Sequence, residues 1–164
     1  IDDVVETDND DLVFSFSYPQ QGSRGIVLLK NNFIVRINRD GKEVWDHTLY
    51  RNASAFKNLI GIRLQTKGDK VYALYNDSKG NLDEAPDDPY MKAYNGSNSL
   101  ITVQEISASG SVKKYPLTTN KALDRCAINF EAVIELEENY LHCGIMQLAS
   151  MFKIDFKNIT LRVE

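Results

Sequence analysis

The sequence lacks any long hydrophobic run, since no stretch of about 18 consecutive apolar residues occurs along its 164 residues. We therefore predict no membrane-spanning helix. The chain is also poor in the side chains that most often carry catalysis, with two histidines and two cysteines. No nucleophile elbow, phosphate-binding loop, Cys-His arrangement or zinc-ligand spacing occurs. The sequence therefore predicts a protein that is not an enzyme and needs no cofactor.

A basic surface is missing as well. The 23 acidic residues outnumber the 19 basic ones, and no stripe of lysine and arginine is present, which argues against nucleic-acid binding. Six of the acids and none of the bases lie in residues 1–11. We expect this segment to be a solvated linker or a frayed terminus, and binding of a cation or a basic partner is the alternative.

The only two cysteines, Cys126 and Cys143, leave two alternatives open. They could form a disulfide between neighbouring strands in an oxidising compartment, or they could remain buried thiols. Their spacing with His142 is not a metal motif, because a zinc site needs three or four convergent ligands.

Helical periodicity is almost absent, and the one candidate helix, residues 122–129, is short. Alternation of side chains predicts strands instead. In residues 12–18 the larger apolar side chains occupy the even-numbered positions and share one face, which is the pattern of a half-buried strand. Residues 25–30 form a continuous apolar run, bounded by Gly22-Ser23 and Asn31-Asn32, which is typical of a strand buried on both faces.

A hairpin is the clearest local feature of the sequence. An apolar strand leads into Asp40-Gly41, a strong hairpin signal, and a second strand follows. In the first of these strands we expect Arg36 to point outward. The side chains expected to point into the core are Phe33, Val35 and Ile37.

Strand, turn and strand then recur along the chain, with further turns predicted at 67–69, 109–110, 138–139 and 157–158. Grouped in fours, the strands form three units of one domain, 12–164, with bounds at 12–50, 59–117 and 132–163. Antiparallel four-stranded repeats of roughly 40–50 residues predict an all-β fold and a partial β-propeller of about three blades. A β-sandwich is the alternative, because it also consists of many short strands.

One turn resembles a known repeat. Gly41-Lys42-Glu43-Val44-Trp45 is similar to the Gly-Lys-x-x-Trp turn of quinoprotein-type (PQQ-like) propeller repeats. The resemblance covers about a dozen residues; the second unit departs from it, and the third lacks both glycine and tryptophan. It implies that Trp45 packs in the core between adjacent blades, and it does not imply a bound quinone. Since propellers have about four to eight blades, three would need further blades from a parent chain or a partner.

The longest irregular stretch, residues 76–99, is the predicted interaction site, because long loops in compact domains are commonly functional. Carboxylates with asparagine are ligands that calcium prefers, although the spacing is not that of an EF-hand. A solvated loop is the alternative. The candidate binding residues are Asp77, Asp83, Glu84, Asp87, Asp88, Tyr90 and Tyr94.

These features predict a non-catalytic, propeller-like module that acts in protein–protein interaction or as a structural subunit of a complex. The alternative is a carbohydrate-binding or carbohydrate-active domain that uses the 76–99 loop. The start at Ile1, without an initiator methionine or signal-peptide pattern, leads us to expect the C-terminal part of a larger protein. We expect that protein to be exported to the periplasm, the cell surface or the extracellular space.

Overall fold

The computed structural model describes residues 1–96, 98–117, 126–137, 140–150 and 153–162. These residues form an all-β fold of antiparallel sheets, which confirms the predicted fold class at that level. Two short 3₁₀ turns, Lys57–Leu59 and Lys79–Asn81, interrupt the strands. No helix within the described part of the chain is long and apolar enough to cross a membrane.

The first sheet contains five strands. Strand β2 lies between β1 and β4, and β4 also pairs with β3 and with β5. Its strands are β1 (Asp3–Glu6), β2 (Leu12–Ser17), β3 (Gln20–Gln21), β4 (Ile26–Ile37) and β5 (Glu43–Phe56).

The second sheet has four strands in sequence order, and the third has three. The second unit predicted from the sequence, 59–117, spans the second sheet. The described residues of the third unit, 132–163, form three strands and not the four expected. The strands of the second sheet are β6 (Ile62–Lys67), β7 (Lys70–Ser78), β8 (Ser99–Ile106) and β9 (Val112–Pro116). Those of the third are β10 (Cys126–Glu137), β11 (Tyr140–Ser150) and β12 (Lys153–Arg162).

Both faces of the second sheet are covered. Side chains that alternate along β7 point to opposite sides, so that Val71, Ala73 and Tyr75 pack against the first sheet. Tyr72 and Leu74 pack against the third. A sheet covered on both faces requires apolar residues at successive positions, which β7 supplies.

A third apolar cluster joins the far end of the β4–β5 hairpin to β10. It contains Ala53 and Ala55 from β5, Leu59 and Ile60 at the 3₁₀ turn, and Ala127 from β10. The small side chains of β5 allow the hairpin to approach closely there. Contacts with both the first and the second sheet therefore hold the third sheet in place.

Trp45 lies between the first two sheets. It is buried in their shared core, as predicted. A Cβ atom added to Gly110, in the β8–β9 turn, would lie 3.4 Å from the Trp45 Cβ. The φ angle of Gly110 is +83°, a conformation that suits glycine, so this turn combines a backbone requirement with close packing against the indole.

The predicted hairpin at Asp40-Gly41 is confirmed, but several strand boundaries were wrong. Strand β4 continues through residues 31–32, where its pairing with β5 shows a bulge between Leu29 and Asn31. Strand β12 likewise continues through the turn predicted at 157–158. Polar residues had suggested turns, but ladder pairing with β5 and β11 keeps both stretches extended.

Two further expectations fail near these strands. Residues 25–30 are not buried on both faces, since Leu28 is exposed while Leu29 is buried. The candidate helix does not form over residues 126–129, which belong to β10, and residues 122–125 lie outside the described part of the chain, as does the turn predicted at 138–139.

The acidic segment 1–11 is not a solvated linker. Strand β1 pairs with β2 along residues 3–6, and the Asp3 carboxylate accepts a hydrogen bond of 2.6 Å from the Leu64 backbone amide of the second sheet. Arg63 adds an ion pair with Asp3 at 3.1 Å. Asp3, one of the acids counted as a charged tail, is therefore a partner for groups on the neighbouring sheet.

Candidate functional site

The inner side of the first sheet carries buried polar side chains beside its apolar ones, and the apolar stripe that the sequence predicted for it lies elsewhere. Arg36 is buried and points toward the second sheet, so its predicted outward orientation was wrong. Its Nε atom donates to the Asp11 carboxylate at 2.8 Å, and an Nη atom donates to the Asp69 carboxylate at 3.2 Å. Two carboxylates satisfy the guanidinium, which makes its burial possible.

A second buried arginine, Arg51 of β5, joins the same two sheets. Its guanidinium donates to the Asn32 side chain and to the backbone carbonyls of Gly61 and Asn76, at 3.1–3.2 Å. The guanidinium carbon also lies 5.3 Å from the centre of the Tyr75 ring. Burial lowers the pKa of Arg51 from its ordinary value, and these contacts stabilise the charged form.

The consequence is an apolar surface on the opposite side of the first sheet. We call it the outer face, and it consists of the outward residues of β1, β2 and β4. Because strand side chains alternate, inward Arg36 and Ile34 turn their neighbours toward water. Phe33, Val35 and Ile37 therefore do not point into the core, which corrects the prediction. The outer face comprises Val4, Leu12, Phe14, Phe16, Phe33, Val35 and Ile37.

Large side chains of the outer face are in contact with water. The exposed fraction is 50% for Val4, 49% for Leu12, 38% for Phe16 and 39% for Phe33. The Phe16 and Phe33 rings stack across β2 and β4 with centroids 5.3 Å apart, a geometry that aromatic pairs favour. Contiguous apolar surface of this kind is typical of interaction sites, and it is the candidate functional site of the chain.

A groove lies beside this face, at the bulge of β4. Its volume is about 260 Å³. Tyr18, which is 83% exposed, lines it together with Phe33. Polar side chains also contribute to the lining, namely Gln20, Lys30, Asn31 and Asn52.

The seven residues predicted from the 76–99 loop are not gathered in one site. Asp77 belongs to β7 and is buried, and Tyr94 is also buried. The other five lie at or near the loop surface, where Tyr90 is 88% exposed. They are Asp83, Glu84, Asp87, Asp88 and Tyr90.

Asp77 anchors the loop. Its carboxylate accepts a hydrogen bond of 2.7 Å from the Asn81 side chain and lies 3.5 Å from the Lys114 Nζ atom. Both members of the Asp77–Lys114 ion pair are buried. Tyr94 is joined to β5 by backbone hydrogen bonds of 2.7 Å with Asn52 and Ser54. Asp77 and Tyr94 therefore hold the loop in place and do not offer a surface for a ligand.

Two of the loop acids have partners within the loop. Lys92 forms an ion pair with Glu84 at 3.0 Å, and the Asp88 carboxylate accepts a hydrogen bond of 2.8 Å from the Tyr90 amide. Within the described residues, no three His, Cys, Asp or Glu side chains lie close enough together to hold a metal ion.

The histidines and cysteines have structural surroundings. His47 contacts the Gln104 side chain at 2.9 Å, and burial lowers its pKa. His142 contacts Thr160 at 3.3 Å. Cys126 and Cys143 are buried thiols that pack against the second sheet, and burial raises the pKa of Cys143 to about 11. A thiol with that pKa is a poor nucleophile at neutral pH.

Sequence reasoning missed the outer face because it took every apolar stripe to be a core stripe. One available signal was Arg36, with acids nearby at Asp11 and Asp69, since buried arginines need acidic partners. No protein-family model matches the chain, and neither the curated proteins nor the solved structures contain a match to it.

Proposed function

We propose that the chain is a non-catalytic, propeller-like β module that acts through protein–protein contact as a structural part of a larger assembly. The exposed apolar outer face of the first sheet carries this proposal, because such a surface is costly to leave in water. We further propose that the module belongs to an exported or cell-envelope protein, given its β-rich chain and Tyr/Asn-rich loops.

The packing of the sheets supports the propeller-like part of the proposal. The middle sheet is covered on both faces by neighbouring antiparallel sheets, as a blade is in a propeller. Trp45, at the end of the Gly-Lys-x-x-Trp turn, lies between two of them. Known propellers have about four to eight blades, which is more than the three sheets that the described residues form. Further blades would pack against the outer face.

The chemistry of the side chains supports a role without catalysis. His47 is half-buried against Gln104, and Cys143 has a raised pKa. The Arg36 guanidinium and the Asp77 carboxylate are paired inside the molecule. These groups stabilise the fold, and none of them faces the groove beside the outer face.

A site-specific photocrosslinker tests the proposed function. With p-benzoylphenylalanine at Phe33 in cells that make the protein, ultraviolet light is expected to join the chain to another polypeptide. The same crosslinker at Tyr90, which is exposed but lies on the loop, is the matched control. Equal yields at both positions, or no adduct at Phe33, would contradict the proposal.

The groove supports a second candidate function, carbohydrate binding. Aromatic rings such as Tyr18 and Phe33 can stack on the apolar face of a sugar ring, and Asn31 and Asn52 can both donate and accept hydrogen bonds. This site differs from the loop site predicted from the sequence. Its volume, about 260 Å³, is near the lower limit for ligand pockets and suits a single sugar ring.

Glycan-array binding with two tyrosine variants tests the second candidate. Tyr18→Ala is expected to abolish binding to any glycan that the chain recognises, while Tyr90→Ala leaves it unchanged. The reverse result would favour the 76–99 loop. A chain that binds no glycan would remove this candidate.

A further inference from the structure

The outer face has the organisation of an interface core. Where β2 and β4 pair along residues 12–16 and 33–37, their side chains on this face are all apolar: Leu12, Phe14, Phe16, Phe33, Val35 and Ile37. Acids on the same side occur at the margins, with Glu6 on β1 and Asp46 on β5. An apolar centre with a charged rim is the usual arrangement of a protein–protein interface.

We propose that the outer face binds a second copy of the chain, through the same residues in both copies. This inference rests on the proposed function, for which it names the partner. A two-fold interface of this kind uses one patch twice, and it is the commonest arrangement among soluble homo-oligomers.

The size of the face is appropriate for such a contact. The exposed fractions of its side chains correspond to apolar surface on the order of 400 Å². Tyr18 and Leu28, which are also exposed, extend the surface along β4. The whole patch approaches the roughly 800 Å² per partner that specific interfaces bury.

The order of the strands makes the face complementary to itself. A two-fold axis parallel to the strands, between β2 and β4, places β2 of one copy over β4 of the other. Phe14 and Phe16 then meet Phe33 and Val35, which are their counterparts in the ladder. Sheets packed face to face lie about 10 Å apart, a gap that aromatic side chains fill.

The same axis keeps the charged side chains at the edges. Glu6 and Asp46 lie on the two strands that flank β2 and β4, and both side chains are exposed. The same axis places β1 of one copy over β5 of the other, with Asp46 opposite Val4. These outermost strands lie at the periphery of the contact, where solvent screens the charges. The middle sheet already shows that sheets of this chain pack face to face through apolar side chains.

Sedimentation equilibrium on the full 164-residue chain tests the proposal, over concentrations from about 1 to 100 µM. We expect a species of twice the 18.6 kDa chain mass. Phe16→Lys and Leu12→Lys each place a charge in the interface and are expected to weaken dimerisation at least roughly a hundredfold. Both positions are partly exposed in the single chain, and circular dichroism would verify that the variants fold.

Tyr90→Lys is the matched control, because it makes the same type of change at an exposed loop position and is expected to leave the dimer intact. A wild-type chain that stays monomeric throughout, or a dimer unaffected by both interface variants, would overturn the proposal. A monomer whose Phe33 crosslinks to a different polypeptide would overturn the second copy as partner while leaving the proposed function standing.

Discussion

The side-chain amide of Asn76 pairs with the backbone of Ile128 as a neighbouring strand would. Its Oδ1 atom accepts a hydrogen bond of 2.8 Å from the Ile128 amide, and its Nδ2 atom donates to the Ile128 carbonyl, also at 2.8 Å. A further hydrogen bond of 2.9 Å reaches the Leu59 carbonyl. One buried side chain therefore links the second sheet to the third and to the turn between the first two.

Asn76→Ala is expected to lower the free energy of unfolding by about 3 kcal/mol, because it leaves several buried backbone groups without a hydrogen-bond partner. Urea denaturation measures the change. Asn52→Ala is the control and should change stability little, since Asn52 is exposed and its side chain donates a long hydrogen bond of 3.5 Å to the Met91 carbonyl. Equal effects of the two substitutions would show that Asn76 does not link the sheets.

Gly61→Ala is expected to destabilise the chain by about 2 kcal/mol through overpacking. A Cβ atom at this position would lie 2.6 Å from the Phe130 side chain on β10. The double variant Gly61→Ala with Phe130→Gly should lose less stability than the two single changes added together, because removal of the whole Phe130 side chain, including its Cβ atom, relieves the clash. Additive losses in thermal or urea unfolding would contradict the contact.

The stability of the chain is expected to fall with pH partly because of His47. Burial lowers its pKa from the ordinary value of 6.5, so that protonation is less favourable in the folded chain than in the unfolded one. The free energy of unfolding should therefore decrease as the pH drops below 6.5 toward the folded pKa.

His47→Gln removes this group, and the variant should show a smaller decrease between pH 7 and pH 5 than the wild-type chain. His142→Gln, the same change at the other histidine, on β11, serves as the comparison. Urea titrations at several pH values measure the slopes. An identical slope for wild type and His47→Gln would refute this prediction.

The thiols are expected to be unreactive in the folded chain. With a pKa of about 11, Cys143 is ionised at pH 8 in about one molecule in a thousand, and both cysteines are buried. Ellman's reagent should therefore label neither residue within minutes under native conditions and two per chain in guanidinium chloride. Rapid labelling at native pH would contradict the buried environment.

Local patterns in the sequence predicted much of the strand content. The hairpin at Asp40-Gly41 and the alternation in residues 12–18 are both present in the structure. The predicted strand ends at residues 31–32 and 157–158 were wrong. At both places, hydrogen bonding to a neighbouring strand outweighs the local preference for a turn. In the predicted loop site, composition gave no indication that Asp77 and Tyr94 would be buried, because burial depends on contacts with β5 and β9.

The sequence by itself determined that the chain is built of antiparallel strands, because side-chain alternation and turn residues act over a few positions. Only the tertiary structure decided which side of the first sheet is the interior. Alternation separates two faces without saying which one a neighbouring sheet covers, and here the ion pairs of Arg36 with Asp11 and Asp69 turned the apolar face outward. That choice depends on residues far apart in the chain, and it created the surface on which the proposed function rests.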